Sequence, residues 1–296
     1  FHAMFSLMLF SNVFVMYPKA QVSAERIQEI LDAEPMIKNP EQGITETNNE
    51  GTLEFENVTF VYPDGEEPVI KNVSFSAKKG ETIAFIGSTG SGKSTLINLI
   101  PRFYDVTEGS IRIDGIDVRK FNLKALRKKI GFIRQKNLLF TGTIKSNIKF
   151  GKPHATHDEV EHSAKIAQAY DFITNKEKGF DEPISEGGSN VSGGQKQRLS
   201  IARALVRKPE IYIFDDSFSA LDFKTDAILR KALKKETKDA IVLIVAQRIG
   251  SIMDADKIIV LDEGKVVGAG KHKELLSTCN VYHEIALSQL TEEELA

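Results

Sequence analysis

The segment "ETIAFIGSTGSGKST", Glu81 to Thr95, restricts the fold more than any other part of the chain. Its first half is a short apolar run suited to a buried strand. Its second half matches G-x-x-x-x-G-K-[ST], placed between that strand and an expected helix. Gly87, Gly90 and Gly92 let the backbone curl, so that N–H groups along Gly87, Ser88, Thr89, Gly90, Ser91 and Gly92 can point inward at phosphate oxygens. The helix that follows adds the positive end of its dipole. Lys93 is expected to reach the β- and γ-phosphates, Ser94 to offer a hydroxyl to Mg²⁺, and Thr95 to close the motif.

The rest of the chain fits a strand–loop–helix architecture. "IYIFD" (211–215), "AIVLIVA" (240–246) and "KIIVLDEG" (257–264) read as further strands separated by helical stretches. That alternation implies a mostly parallel sheet with covered faces. "LEFENVTFVY" (53–62) alternates in two phases, Leu53 and Phe55 in one, Val58, Phe60 and Tyr62 in the other, which a bulge near Asn57 reconciles. With the turn "PDGEEP" and the returning strand "VIKNVSFSA", it forms an antiparallel flap. "SIRIDG" reads as a strand, "NLKALRKK" as a helix, and 156–171 carries helical periodicity without a motif.

The first seventeen residues, "FHAMFSLMLFSNVFVMY", carry no charge apart from His2. They are slightly short of the roughly 20 apolar residues that span a bilayer, and they lack the basic start and small-residue cleavage site of a secretory signal. We read them as the cytoplasmic end of a transmembrane helix; a buried core helix is the alternative. Residues 19–32 continue as a helix, and "EPMIKNPEQGITETNNEGT" (34–52) breaks it with two prolines and two glycines. The expected divisions are therefore 1–34, a linker at 35–52, a domain over 53–290 and a tail at 291–296.

A chain of 296 residues holds one large domain with appendages. The net charge of −2 argues against a nucleic-acid partner. Cys279 is the single cysteine, which excludes an internal disulfide and suits a reducing compartment; we read it as a packed, inert thiol. The phosphate loop alone does not choose among nucleotide-handling classes. The guanine signature N-K-x-D fails at "NKEK" (175–178).

"SNVSGGQKQRLSIARAL" (189–205) resembles the signature of ATP-binding cassette (ABC) ATPases, and the family's other motifs stand around it in order. They are Tyr62, the phosphate loop, Gln135 in "GFIRQKNLLFTGTI", "IYIFDD", "SALD" and the switch segment "IVAQRIGSI". The resemblance covers about 53–290. With the apolar N-terminus it is similar to the exporter type, in which a membrane domain precedes the nucleotide domain. It implies an α/β P-loop NTPase core with a mostly parallel sheet, an antiparallel β flap and an inserted α-helical subdomain at about 136–208.

The resemblance also implies roles. Tyr62 stacks on adenine, or else is a surface aromatic of the flap. Gln135 meets Mg²⁺ or its water, or else is an ordinary loop residue. Ser192, Gly193, Gly194 and Gln195 bind the γ-phosphate of ATP held by an opposing subunit, so a head-to-tail dimer is implied. Asp222 lies near its seam, with a plain helix cap as the alternative. Asp215 holds Mg²⁺ through water.

Two positions depart from the family pattern. Active members carry glutamate after the metal aspartate, where it orients and deprotonates the attacking water; here Asp216 is shorter by one methylene, about 1.5 Å, and is expected to be a poor base. They usually carry histidine, which can clamp the γ-phosphate and pass a proton, where this chain has Gln247; glutamine can donate a hydrogen bond there but cannot become cationic. Val191 for leucine, and Arg134 and Lys136 around Gln135, are lesser departures. The pattern resembles the degenerate-site subunit of a bacterial heterodimeric multidrug exporter in the plasma membrane. Such a subunit binds ATP and Mg²⁺, pairs with a catalytically complete partner and moves drugs, lipids or other amphipathic compounds. A homodimeric exporter with slow hydrolysis and a soluble ABC ATPase are the rival readings.

Overall fold

A computed structural model of the chain describes residues 1–48 and 50–290; the tail expected at 291–296 lies outside them. The chain divides into two units, Phe1–Lys38 and the remainder from Asn39. The first unit is dominated by one helix, α1 (His2–Asp32), which runs through Pro18. Its length, with a mean hydropathy of 1.2 over its most apolar window, is sufficient to cross a membrane.

The second unit begins with strands β1 (Thr52–Phe60), β2 (Ile70–Lys78) and β3 (Thr82–Ile86), followed by helix α2 (Lys93–Leu99). Next come β4 (Glu108–Ile113), β5 (Ile116–Asp117), α3 (Leu123–Lys128) and β6 (Ile130–Ile133). A largely helical stretch follows: β7 (Gly142–Thr143), α4 (Ile144–Lys149), α5 (His157–Ile166), α6 (Tyr170–Thr174), β8 (Pro183–Ile184) and α7 (Gly193–Leu205). The chain closes with β9 (Ile211–Asp215), α8 (Phe223–Glu236), β10 (Ile241–Val245), β11 (Lys257–Asp262), β12 (Lys265–Gly270), α9 (His272–Thr278) and α10 (Asn280–Leu287).

The core sheet has strand order β12-β11-β3-β10-β9-β6. All its pairings are parallel except the edge hairpin of β11 and β12, which turns at Glu263 and Gly264, both with positive φ. Both faces are covered. Ile83, Phe85, Ile211 and Ile213 face one apolar cluster, shared with the flap and α2; Ala84, Ile86, Tyr212 and Phe214 face the other, shared with the helical stretch. Burial on both sides is why these strands read as unbroken apolar runs.

The flap is a four-stranded antiparallel sheet, β2-β1-β4-β5. The change of phase in β1 is a bulge: its register against β2 shifts between Phe55 and Val58, and Asn57 adopts φ 48°. The extra residue keeps Leu53, Phe55, Val58 and Phe60 all buried. Residues 156–171 form two helices rather than one, because Gln168 turns the chain at φ 54°. Three helices of the inserted stretch start with capping boxes at Thr143, Thr156 and Ser192.

A buried ionic cluster ties the linker to the domain. Asp114 accepts from Thr47 Oγ1 (2.6 Å) and Gly51 N (2.8 Å), and pairs with Lys129 Nζ at 3.2 Å. Lys129 also meets Glu210, just before β9, at 2.6 Å. Burial works against ionising Asp114, but the Thr47, Gly51 and Lys129 hydrogen bonds hold it below the usual carboxylate range. Ile44 bridges to Phe121, so this stretch of the expected linker lies along the domain.

Candidate nucleotide site

The site follows from strand order. β3, β10, β9 and β6 are neighbours in the sheet and run parallel, so their carboxyl ends share one edge. β3 leads into Gly87–Thr95, β9 ends at Asp215, β10 precedes Gln247, and β6 precedes Gln135. Four motifs spread over some 160 residues are thereby gathered at one place.

Gly87 shows why the loop needs glycine: a Cβ there would lie 1.9 Å from Leu261 O, at a φ of 155°. The Lys93 ammonium folds back over the loop, donating to Ser88 O (2.7 Å), Gly87 O (2.9 Å) and Ser91 Oγ (3.2 Å). Burial lowers its pKa, while the charges of Asp216 and Asp215 oppose the shift. Ser94 Oγ donates to Asp215 Oδ1 at 3.0 Å, bringing a hydroxyl and a carboxylate oxygen together. Hard oxygen donors of this kind suit Mg²⁺, which usually takes one or two protein oxygens with phosphates and water completing its shell. The pair fits the ion.

Asp216 follows directly. It is 8% exposed, and its backbone sits in the left-handed region at φ 47°. Its Oδ2 accepts two hydrogen bonds at 2.9 Å, one from Gln135 Nε2 and one from Gln247 Nε2. Burial raises the pKa of both aspartates. For Asp215, the Ser94 bond opposes the rise and the Asp216 charge adds to it; for Asp216, the Gln135 and Ser219 bonds and the Arg248 and Lys93 charges oppose it. Gln135 thus turns its amide nitrogen to Asp216, which leaves its oxygen as the end able to meet a metal shell.

Tyr62 is half-buried, with its hydroxyl 3.0 Å from Thr95 Oγ1. Phe60 and Tyr104 meet its ring edge-on, at centroid distances of 4.8 and 5.2 Å. At the start of α7, Ser192 Oγ accepts from Gln195 N and Gln195 Oε1 accepts from Ser192 N. A Cβ on Gly193 would meet nothing within 4 Å, whereas one on Gly194 would lie 3.1 Å from Ala220 O. The exposed turn is therefore open outward at Gly193 and packed inward at Gly194. Asp222 Oδ1 accepts from Thr225 N at 2.9 Å, so within this chain it caps α8. Cys279 is buried.

Sequence reasoning missed Ser219, whose hydroxyl donates to Asp216 O, and Arg248, which donates to Ser219 O. It also missed Gln289, which bonds the switch backbone at Gln247 and Ile249. Ser219 stands only three residues from Asp216, inside the "SALD" segment, whereas the Arg248 and Gln289 contacts span 29 to 42 residues and no local pattern marks them.

A parallel sheet whose strand ends assemble a glycine-rich phosphate loop, a hydroxyl–carboxylate pair and a second aspartate defines a P-loop nucleotide-binding domain of the α/β class. The sequence profile of the ABC transporter family matches residues 70–219. A putative multidrug export ATP-binding/permease protein of Staphylococcus aureus is 45% identical over 257 residues, 87% of this chain and 44% of that protein. An uncharacterized ABC transporter ATP-binding protein of Mycobacterium bovis is 43% identical over 276 residues, 92% of this chain and 47% of that protein. A solved bacterial Atm1-family ABC exporter with ATP bound superposes with a TM-score of 0.88 at 32% identity, over 95% of this chain and 49% of that one. The chain belongs to the ABC transporter family. It spans about half the length of the curated relatives it matches.

Proposed function

We propose that this chain is the nucleotide-binding part of an ABC exporter subunit, which binds MgATP in a head-to-tail dimer and hydrolyses it poorly at its own phosphate loop. Residues 1–34 are then the cytoplasmic end of a transmembrane helix with its extension, and 53–290 the nucleotide domain. The cargo is a drug-like or other amphipathic compound, in keeping with the multidrug export named for the Staphylococcus aureus relatives. The partner is a second ABC subunit carrying a complete catalytic set, and the assembly sits in the plasma membrane.

The observation that carries this reading is the state of Asp216. A general base needs a free lone pair within about 2.6–3.2 Å of the proton it takes. Two amide donors pin Asp216 Oδ2, so the lone pairs the carboxylate keeps for a water are held at a fixed, short reach, and neither amide can accept or relay a proton at neutral pH. The carboxyl is also one methylene short of the family's base. Bound Mg²⁺ would neutralise phosphate charge beside Ser94 and Asp215. Lys93 would leave its loop carbonyls for the phosphate oxygens, and Tyr62 would offer its ring to the base. Gly193, with open space where a Cβ would stand, lets the Ser192–Gln195 turn approach the partner's nucleotide closely.

The test compares the full-length protein alone with the protein co-purified with the product of its neighbouring gene. Alone, it should retain MgATP and leave it mostly intact, and the pair should hydrolyse. Turnover by the lone protein at an ordinary 1–10³ per second, about the usual enzyme range, would overturn the reading. Slow turnover at two equal sites would favour the homodimer instead.

A further inference from the structure

We infer that Gln289 is a positioning residue for the switch segment, fixing the backbone that aims the Gln247 side chain. Its amide grips that backbone at two points: Nε2 donates to Gln247 O at 2.7 Å, and Oε1 accepts from Ile249 N at 2.8 Å. The segment needs such support. β10 ends at Val245, Ala246 N still reaches Phe85 O at 3.1 Å, and a 3₁₀ turn begins at Ile249. Arg248, which precedes the turn, supplies no side-chain cap, so the Ile249 N–H is an end-of-helix donor that another group must satisfy.

Gln289 is well placed to do so. It stands just past α10, which is anchored by the fully buried Tyr282 and Ala286. Gln289 N returns to Ala286 O at 3.0 Å, and Leu290 packs against the core. Only a side chain that both donates and accepts serves a carbonyl and an N–H at once; a carboxylate accepts alone. The Gln247 side chain, in turn, is held by its bond to Asp216. Gln247 is thus held at two points, its side chain by Asp216 and its backbone carbonyl by Gln289. The functional consequence rests on the proposed function and on Gln247, which stands where the family usually has histidine, facing the γ-phosphate when ATP is bound.

The experiment uses the full-length protein with MgATP and MgADP as probes, and hydrogen exchange of the peptide containing Ile249. Gln289→Leu, similar in volume but unable to make either bond, should speed exchange at Ile249. It should also weaken MgATP by about tenfold, the upper worth of one ordinary hydrogen bond, and leave MgADP within about twofold. Gln289→Glu, which keeps only the acceptor, should retain protection at Ile249 yet lose MgATP affinity. In a Gln247→Ala background, Gln289→Leu should cost MgATP nothing further. Unchanged exchange at Ile249 overturns the proposal, as does equal weakening of ATP and ADP or an undiminished loss in the Gln247→Ala background. If exchange speeds up while Gln247→Ala itself leaves ATP preference intact, the grip on the backbone stands and the γ-phosphate reading of Gln247 falls.

Discussion

Gln247 Nε2 lies 2.9 Å from Asp216 Oδ2, so the segment after β10 and the residue after β9 are joined by one hydrogen bond. In this position glutamine restrains the carboxylate without being able to take a proton from it. Replacing both, Asp216→Glu with Gln247→His, restores a reach of one methylene and a titratable ring. Turnover at this site should rise by about a hundredfold, the scale on which a misplacement near 1 Å acts. Phosphate release by the purified assembly, with the partner's site disabled, measures it; a double variant no faster than the parent refutes it.

Asp216→Asn should change stability in a pH-dependent way. Burial raises the pKa of Asp216 in the fold, so the folded state holds its proton more tightly than the unfolded chain. Ionisation therefore costs the native state stability as pH climbs through and above the ordinary carboxylate range. The asparagine variant escapes that cost. Without nucleotide it should melt higher than the parent at pH 8, by a few degrees, roughly 2–4 °C for each kcal/mol recovered in a domain of this size. The advantage should shrink toward pH 4. A gap that widens on acidification contradicts this.

How much of this was readable in the residues alone depends on range. The bulge at Asn57 was legible because a bulge shifts an alternating pattern by one, and β1 carries that shift on its surface. The phosphate loop was legible because its glycines and lysine must be adjacent in sequence. β12 was not, since "KVVGAG" is glycine-rich and half-exposed, although the Glu263–Gly264 turn before it was a usable signal. The meeting of Gln135, Asp216 and Gln247 could be inferred only through family resemblance. Sequence separations of 81 and 31 residues leave no periodicity, and strand order alone brings them together.

The signature turn offers a separation of folding from assembly. Gly193→Ala adds a methyl into open space at a helix start, so the chain's own melting temperature should not fall. Ser192→Arg instead removes a cap, which typically costs about 1 kcal/mol, and fills the approach with charge. In the mixed dimer both should lower turnover at the partner's site, the arginine far more, by about a hundredfold or greater. ATPase activity untouched by Ser192→Arg would mean that the turn does not serve a neighbouring nucleotide.

Lys129→Met should be costly for a different reason. It strips the ammonium from Asp114, whose side chain is 1% exposed, and removing one member of a buried pair typically costs about 3–5 kcal/mol. Adding Asp114→Asn should recover part of the loss by removing the stranded charge. Denaturant melts of the single and double variants decide it, and strict additivity would show that the two residues do not couple.

Two adjacent residues at the head of α2 face different ends of the site: Ser94 is bonded to Asp215, and Thr95 to the hydroxyl of Tyr62. On the proposed reading, with Asp215 toward Mg²⁺ and Tyr62 toward the base, a single turn of helix works as a ruler with one mark at each. The two marks cannot drift apart, so a guest spanning them is measured for length as well as recognised at each end.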